Sequence, residues 1–438
     1  MKHVVAFLVA AFVAFPAWAE VDIQEVTSPG GLKAWLVEEP SIPFVALEIQ
    51  FQGGASLDVP GKRGSTILMT SLLEEGAGEL DARAFARRGE ELAASFGFDA
   101  SDDNISVTAR FLTETQDEAI ELLRAALQEP RFDDDAIERV RRQLLTNIRS
   151  DETDPRALAR RAFDAAAYGD HPYATSPDGT EDSVSALTRD DLVTAHHNAF
   201  ARDRVVIGAA GNIDAETLGR VIDAVLGDLP ESGAPMPTQA EVSITGGIEV
   251  VPFDTPQSVA IFGHAGVERD HPDFFAAYLL NQVLGAGGFE SRLTQEVRVK
   301  RGLTYGVYSY LSPKDYAATY QGSVSSANDR IAEAVDVIRD EWSKIAENGV
   351  TEEELNAAKL YLTGAYPLRF DGNSNIAGIL VGMQAQGLPI DYIATRNDKV
   401  NAVTLEEANA VAKWLYQPDN LRFVVVGTPE GLETTASN

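Results

Sequence analysis

Arg298 and Tyr305 stand seven residues apart in RVKRGLTY. A fixed guanidinium and a phenol are both donors suited to a peptide carbonyl or an oxyanion. SRLTQEVRVKR reads as a helix, Gly302 as its C-cap, and LTYGVYSYL as a strand. On that reading Arg298 leaves the last helical turns and Tyr305 the first strand residues, converging on one spot. LGAGGFES opens onto the same helix and holds Gly285, Gly287 and Gly288. Helix N-termini bind anions, but this loop lacks the P-loop Lys and does not spell G-x-G-x-x-G. A tight turn needing positive φ is the plainer account of the glycines. Arg292, in SRL, reads as a structural residue bonding the Gly-rich turn.

Other chemistries find less support. There is no Cys, and six His are spread along 438 residues. His3 lies in the leader. His196 and His197 are adjacent, so on a helix they point about 100° apart and cannot share an ion. His171 sits in HPY, a turn signal. His264 and His271 flank AGVERD with Glu268, which reads as a polar loop before a helix near Pro272. No native metal site is expected. No Gly-x-Ser-x-Gly elbow occurs and no carboxylate pair stands out, so a self-sufficient Ser or Asp hydrolase is the weakest reading.

These residues need elements to hold them. Residues 1–19 read as a secretory signal: Lys2 and His3, an apolar run over 4–15, and Ala17-Trp18-Ala19 before Glu20. Export, to a bacterial periplasm, is the expected localisation. No later run is apolar enough to span a bilayer. The net charge of −31 argues against a nucleic-acid partner. The 419 residues after the leader suffice for two cores.

The chain repeats once. LTRDDLVTAHHNAFARDRVVIGAAGNID from Leu187 aligns without gaps with VTLEEANAVAKWLYQPDNLRFVVVGTPE from Val403, an offset of 216. FDDDAIERVRRQLLTNI matches VTEEELNAAKLYLTGAY at an offset of 218, Ala136 against Glu354. Each copy of the first pair predicts a Thr N-cap, a helix, a turn and an apolar strand. Strands are expected over 45–53, 104–112, 205–210, 258–263, 304–312 and 422–426, and helices over 115–127, 135–149, 328–347 and 352–366. The irregular interleaving gives an α+β class: two duplicated domains, each a largely antiparallel sheet packed against helices. The domains divide as 20–230 and 248–438, joined by a Pro/Ser/Gly-rich linker over 231–247.

Several segments together resemble the pitrilysin and mitochondrial-processing-peptidase family of zinc peptidases. They are HPYATSPDGTEDSVSALTRDDL, FGFDASDDNISV, and above all LGAGGFESRLTQEVRVKRGLTYGVYS. Where the family helix carries His-x-x-Glu-His, this chain reads GSTILMTSLLEEG, with Ile67, Thr70 and Ser71 at the three positions. The family's third ligand, a Glu about 76 residues on, falls on Asn147. An ion gripped at i and i+4 needs imidazole, thiolate or carboxylate, which Ile, Thr, Ser and Asn do not supply.

The resemblance implies a non-catalytic subunit of an exported heterodimeric zinc peptidase. A homologous partner subunit would carry the zinc and the general base, and this chain no cofactor. It also implies that Arg298 and Tyr305 hold the peptide substrate and that Gly285, Gly287 and Gly288 guide it. Strand 98–101, which runs beside the substrate in catalytic relatives, is expected here to be a packing or inter-subunit edge. Tyr308, Tyr310 and Tyr320 are expected to pack the sheet. The rival reading is a scaffold or peptide-binding protein with no catalytic part.

Overall fold

The computed structural model describes residues 22–436, so the leader and His3 lie outside the described residues. Thirteen strands occur among them. The first half contributes β1 (Gln24–Thr27), β2 (Lys33–Glu38), β3 (Phe44–Gln52), β4 (Gly76–Ala77), β5 (Leu80–Asp81), β6 (Ser95–Ala100), β7 (Asn104–Leu112) and β8 (Val205–Gly211). The second contributes β9 (Gly247–Pro252), β10 (Gln257–Ala265), β11 (Val307–Pro313), β12 (Ala318–Ala327) and β13 (Arg422–Gly427).

Two sheets result, ordered β1-β2-β8-β3-β7-β6 and β11-β12-β10-β13-β9, with β4 and β5 forming a small ribbon. Each large sheet is antiparallel except for one pair, β2 with β8 and β9 with β13. Read from the β6 and β11 edges inward, the two sheets have the same topology, as the sequence repeat requires. The slot of β1 is filled in the second sheet by the C-terminal segment, where Thr435 and Ala436 donate to the Ile248 carbonyl. β7 alternates buried and open along its length, which is how a half-buried strand satisfies period-2 patterning.

The repeated helices are set by their caps. Thr188 and Thr404 each close a capping box, with Asp191 and Glu407 as the N3 residues. The long helices Asp134–Asp151 and Glu352–Ala365 follow the second repeat. One core gathers Ile49, Phe51, Phe111, Leu123 and Phe200, and the other Phe262, Tyr320, Trp342, Tyr416 and Phe423.

The two halves also exchange helices. Helix Pro155–Tyr168 belongs to the first half in sequence but packs on β10 and β13 of the second sheet. Ala159, Phe163 and Ala167 are buried there against Ile261, Val424 and Val426. Helix Asn373–Ala385 does the reverse and covers β8 and β3, placing Ala377 and Leu380 on Ala46 and Ala210. The helices start 218 residues apart, the offset of the second sequence repeat. Gly208 makes the second contact possible, because a Cβ there would lie 2.6 Å from the Ala377 carbonyl oxygen. Each fully buried Phe or Leu in these contacts contributes about 1.5–3 kcal/mol.

The tip of the β11–β12 hairpin pins the halves together. Lys314 lies 2.9 Å from Asp102, which also binds Arg63 at 2.7 Å. Tyr173 donates to Asp103 and accepts from the Tyr316 N–H at 3.2 Å. The Lys314 ammonium stands 4.1 Å from the centre of the Tyr173 ring.

Candidate functional site

The emptied helix is short, Ser65–Thr70. Asp58 anchors its start, accepting from the Gly64 and Thr66 N–H groups at 2.9 Å and from both the Ser65 and Thr66 hydroxyls at 2.7 Å. Ser71 follows as its C-cap and donates to the Ile67 carbonyl at 2.9 Å, closing one turn. Ile67 packs against the first core. Thr70 is buried, and its hydroxyl has no partner. The helix packs on Asp134–Asp151, where Asn147 is exposed and accepts from Gln143 at 3.1 Å. Fold and helix pairing are therefore intact while an aliphatic, two hydroxyls and an amide occupy the positions. These groups do not fit zinc, which needs charge-compensating donors. Among the described residues no three His, Cys, Asp or Glu gather as a metal-binding group.

The sheet beside this helix carries carboxylates that the sequence reading passed over. Glu48 on β3 faces Thr108 in register, and Asp99 on the edge strand β6 faces Ser106. Burial pushes the Glu48 carboxyl up to about 7; the Ser106 hydroxyl lowers it and the Asp99 charge adds to the rise. Glu74 is raised by burial, then by Glu75 and Asp99. A signal existed: Glu48 and Gln50 interrupt FVALEIQFQ at every second position, marking a polar face on an otherwise apolar strand.

The Arg298 region differs in detail from the expected helix and strand. Thr294–Val299 forms wide π-type turns, not an α-helix. Gly302 has φ +61° and its N–H bonds the Arg298 carbonyl at 2.9 Å, as a C-cap should. β11 begins only at Val307, because Thr304 turns the chain: its hydroxyl donates to the Ser325 carbonyl at 2.6 Å and accepts from the Gly306 N–H. Tyr305 thus sits on a loop and is 87% exposed. The Arg298 guanidinium lies 4.7 Å from the centre of the Phe289 ring, in the Gly-rich loop. Neither side chain makes a hydrogen bond among the described residues. Gly285 is buried, and a Cβ would lie 2.2 Å from the Ser309 hydroxyl; Gly288 needs φ +56°. Gly287 presses on the Gln282 carbonyl.

Other expectations are corrected. Arg292 grips Glu354 through two bonds of 2.7 Å and reaches the Gly349 carbonyl, away from the Gly-rich turn. The stretch over 266–273 is the expected loop, but His264 and Ala265 before it still belong to β10. His264 is fully buried on β10, accepts from the Trp342 indole at 2.9 Å and is held near pKa 4 by burial. The helix expected near Pro272 starts at Phe274. Tyr320 does pack the sheet, hydrogen-bonded to Asn281 and Tyr416. Tyr308 and Tyr310 instead stack on one another, Tyr308 accepting from Arg156 and Tyr310 bonding Gln321. A cleft of about 310 Å³ beside them is lined by Asp102, Arg160, Asp164, Tyr310 and Lys314.

A two-domain α+β shell that keeps a peptidase's helix pair without its metal ligands defines a class, that of the peptidase-like proteins. Residues 33–181 match the insulinase family, peptidase family M16, and residues 186–362 match the peptidase M16 inactive domain. The chain belongs to the M16 family. It is 28% identical over 390 residues to the non-peptidase homolog YmxG of Helicobacter pylori, covering 89% of this chain and 90% of that one. An uncharacterized zinc protease YmxG of Bacillus subtilis is 24% identical, with 91% and 96% covered. The solved peptidase M16 inactive domain from Pseudomonas fluorescens superposes with a TM-score of 0.87 at 29% identity, covering 94% of this chain and all of that one. A protease structure from Helicobacter pylori shares the fold, with a TM-score of 0.83 at 17% identity. Its match to the inactive domain and its likeness to a non-peptidase homolog support a non-catalytic role.

Proposed function

We propose that this chain is the substrate-binding, non-catalytic subunit of an exported zinc metallopeptidase whose metal sits on a homologous partner. One observation carries the reading. The fold around Ser65–Thr70 is whole, yet Ile67, Thr70, Ser71 and Asn147 hold no metal-binding group. Selection for peptide hydrolysis by this chain alone would not leave that set. Arg298, at a helix end, and Tyr305, on a loop, make no side-chain hydrogen bond among the described residues and are available as donors to a peptide backbone. Gly285, Gly287 and Gly288 hold the loop bearing Phe289 over Arg298, so guiding substrate and making a tight turn are compatible roles.

The partner would supply zinc, activated water and general base. This chain would supply one wall of the chamber. The scaffold reading draws on one feature: Arg298 lies over Phe289, a contact that needs no substrate.

Co-expression with a zinc-bearing M16 chain from the neighbouring reading frame tests the proposal. Purified complex should hydrolyse peptides, with zinc on the partner. Arg298→Ala and Tyr305→Phe should each lower kcat/KM about 10²–10³-fold with zinc content and assembly unchanged. Full activity of the partner alone, or normal kcat/KM in both variants, would overturn it.

A further inference from the structure

A second cavity, with neither Arg298 nor Tyr305 in its lining, lies between helices Phe274–Asn281, Asn373–Ala385 and Tyr392–Ala402. It measures about 270 Å³, just under the range of drug-sized ligand pockets and roomy enough for a single amino-acid-sized group. Three guanidiniums border it, those of Arg269, Arg369 and Arg396, and its lining contains no Asp or Glu. That is against the odds in a chain with 67 acidic and 36 basic residues.

The cations are held by aromatic rings and neutral acceptors, not by counter-charges. Arg269 donates to the Tyr392 hydroxyl at 2.7 Å and to Gln386 at 3.1 Å, and lies 4.3 Å from the centre of the Phe274 ring. Arg396 is 5% exposed; it donates to the Leu362 carbonyl at 2.8 Å and covers the Tyr366 ring at 4.4 Å. Arg369 is exposed at the mouth and makes no side-chain hydrogen bond among the described residues. Burial pushes the Tyr366 phenol up to about 12, and the charges of Arg396, Arg369 and Arg269 all oppose that rise. All three guanidiniums therefore act on one point.

Buried guanidinium without an anion is costly, because desolvation is not offset by a partner charge. An incoming carboxylate offsets it, and a planar fork takes a carboxylate through two bonds. The walls of Phe274, Tyr366 and Tyr392 suit a flat apolar body beside that charge. We propose that this cavity binds a carboxylate carrying an aromatic ring, either a free aromatic acid or the C-terminal residue of a polypeptide. The site is separate from the Arg298–Tyr305 reading and stands or falls without it. One of its walls is the exchanged helix Asn373–Ala385, so an occupant would rest on the element that ties the second half to the first sheet.

The test uses the purified chain and N-acetylphenylalanine, with its uncharged amide as control, by titration calorimetry and saturation-transfer NMR. The acid should bind at least about tenfold more tightly than the amide, the worth of one charge-assisted pair. Arg369→Gln should weaken the acid about tenfold and leave the amide unchanged. Gly382 lines the cavity and a Cβ there meets nothing within 4 Å, so Gly382→Leu should fill the space, abolish binding and keep the native melting temperature. A decapeptide ending in Phe distinguishes the sources: tighter binding than the acetyl-amino acid assigns a polypeptide C-terminus, and equal binding assigns a free acid. No acid binding at millimolar concentration, equal binding of acid and amide, or unaltered binding in folded Gly382→Leu would overturn the proposal.

Discussion

Glu48→Gln should stabilise the protein at alkaline pH and leave it unchanged near pH 4.5. Glu48 sits within a nine-residue strand, half-buried, with its carboxyl raised from 4.5 to about 7 by burial. A raised native pKa means that the folded state binds the proton more tightly than the unfolded state. Between about 4.5 and 7 the unfolded chain has lost that proton and the folded chain keeps it, so stability falls as pH rises through this window. Above 7 the folded carboxyl is ionised and the full cost is present. A rise from 4.5 to about 7 corresponds to at most about 3.4 kcal/mol. Solvent reaches part of the side chain, which brings the expected gain in Glu48→Gln to about 2 kcal/mol at pH 8.5. Spread over the two interlocked halves as one cooperative unit, residues 22–436, that is a rise in Tm on the order of 2 °C.

Scanning calorimetry at pH 4.5 and 8.5 measures it. Asp99→Asn should give part of the same gain, because the Asp99 charge is among the causes of the Glu48 shift. Carbon-13 NMR of the Glu48 carboxyl should follow a midpoint near 7 in the parent and a lower one in Asp99→Asn. A Tm change that is equal at both pH values, or a Glu48 midpoint near 4.5, would refute the argument from burial.

Other outcomes follow from the same geometry. Asp102→Ala leaves the Arg63 and Lys314 cations without their shared carboxylate, so stability should fall by about 3–5 kcal/mol, with greater protease sensitivity where the β11–β12 hairpin meets the first half. Gly285→Ala forces a methyl onto Ser309 and should cost about 1–3 kcal/mol by thermal melting, whatever the loop's role in binding. Ile67→His, Ser71→His and Asn147→Glu together should give one zinc per chain by metal analysis, since Ile67 and Ser71 close one turn and the two helices pack. Absence of bound zinc in the folded triple variant would sink the correspondence of these positions.

Much of the architecture was legible because its signals are local. The strand over 104–112 and the helices beginning at Arg189 and Leu405 follow from alternation and capping boxes, which the chain writes within a few residues. The emptied helix was legible through four residue types at family spacing. The errors arose where tertiary contacts override local pattern. His264 was grouped with the polar AGVERD stretch that follows it, yet it belongs to the strand before, and its ring is buried in the core, where it accepts from the Trp342 indole. Arg292 adjoins the Gly-rich turn in sequence but finds Glu354, 62 residues away, because a bidentate carboxylate outcompetes neutral carbonyls. Thr304 has the β-propensity of a strand residue, and its hydroxyl instead caps the turn that leaves Tyr305 exposed.

The exchanged helices explain why dividing the chain by sequence and dividing it by packing give different units. An apolar stripe such as Ala159, Phe163 and Ala167 announces that a helix must be buried, but not against which sheet. Both sheets present an apolar face of nearly the same design, since they are copies. The choice is made by chain reach and by close-approach sites such as Gly208, which admits the Ala377 backbone where any larger residue would hold it off. Because the exchange is reciprocal, separating the halves exposes two apolar surfaces at once, Ile261 with Val424 on one side and Ala46 with Ala210 on the other. Separating the halves would therefore disturb both helices and the β11–β12 tip together. The sheet that helix Pro155–Tyr168 covers is also the one whose strand β11 follows directly on the loop carrying Tyr305.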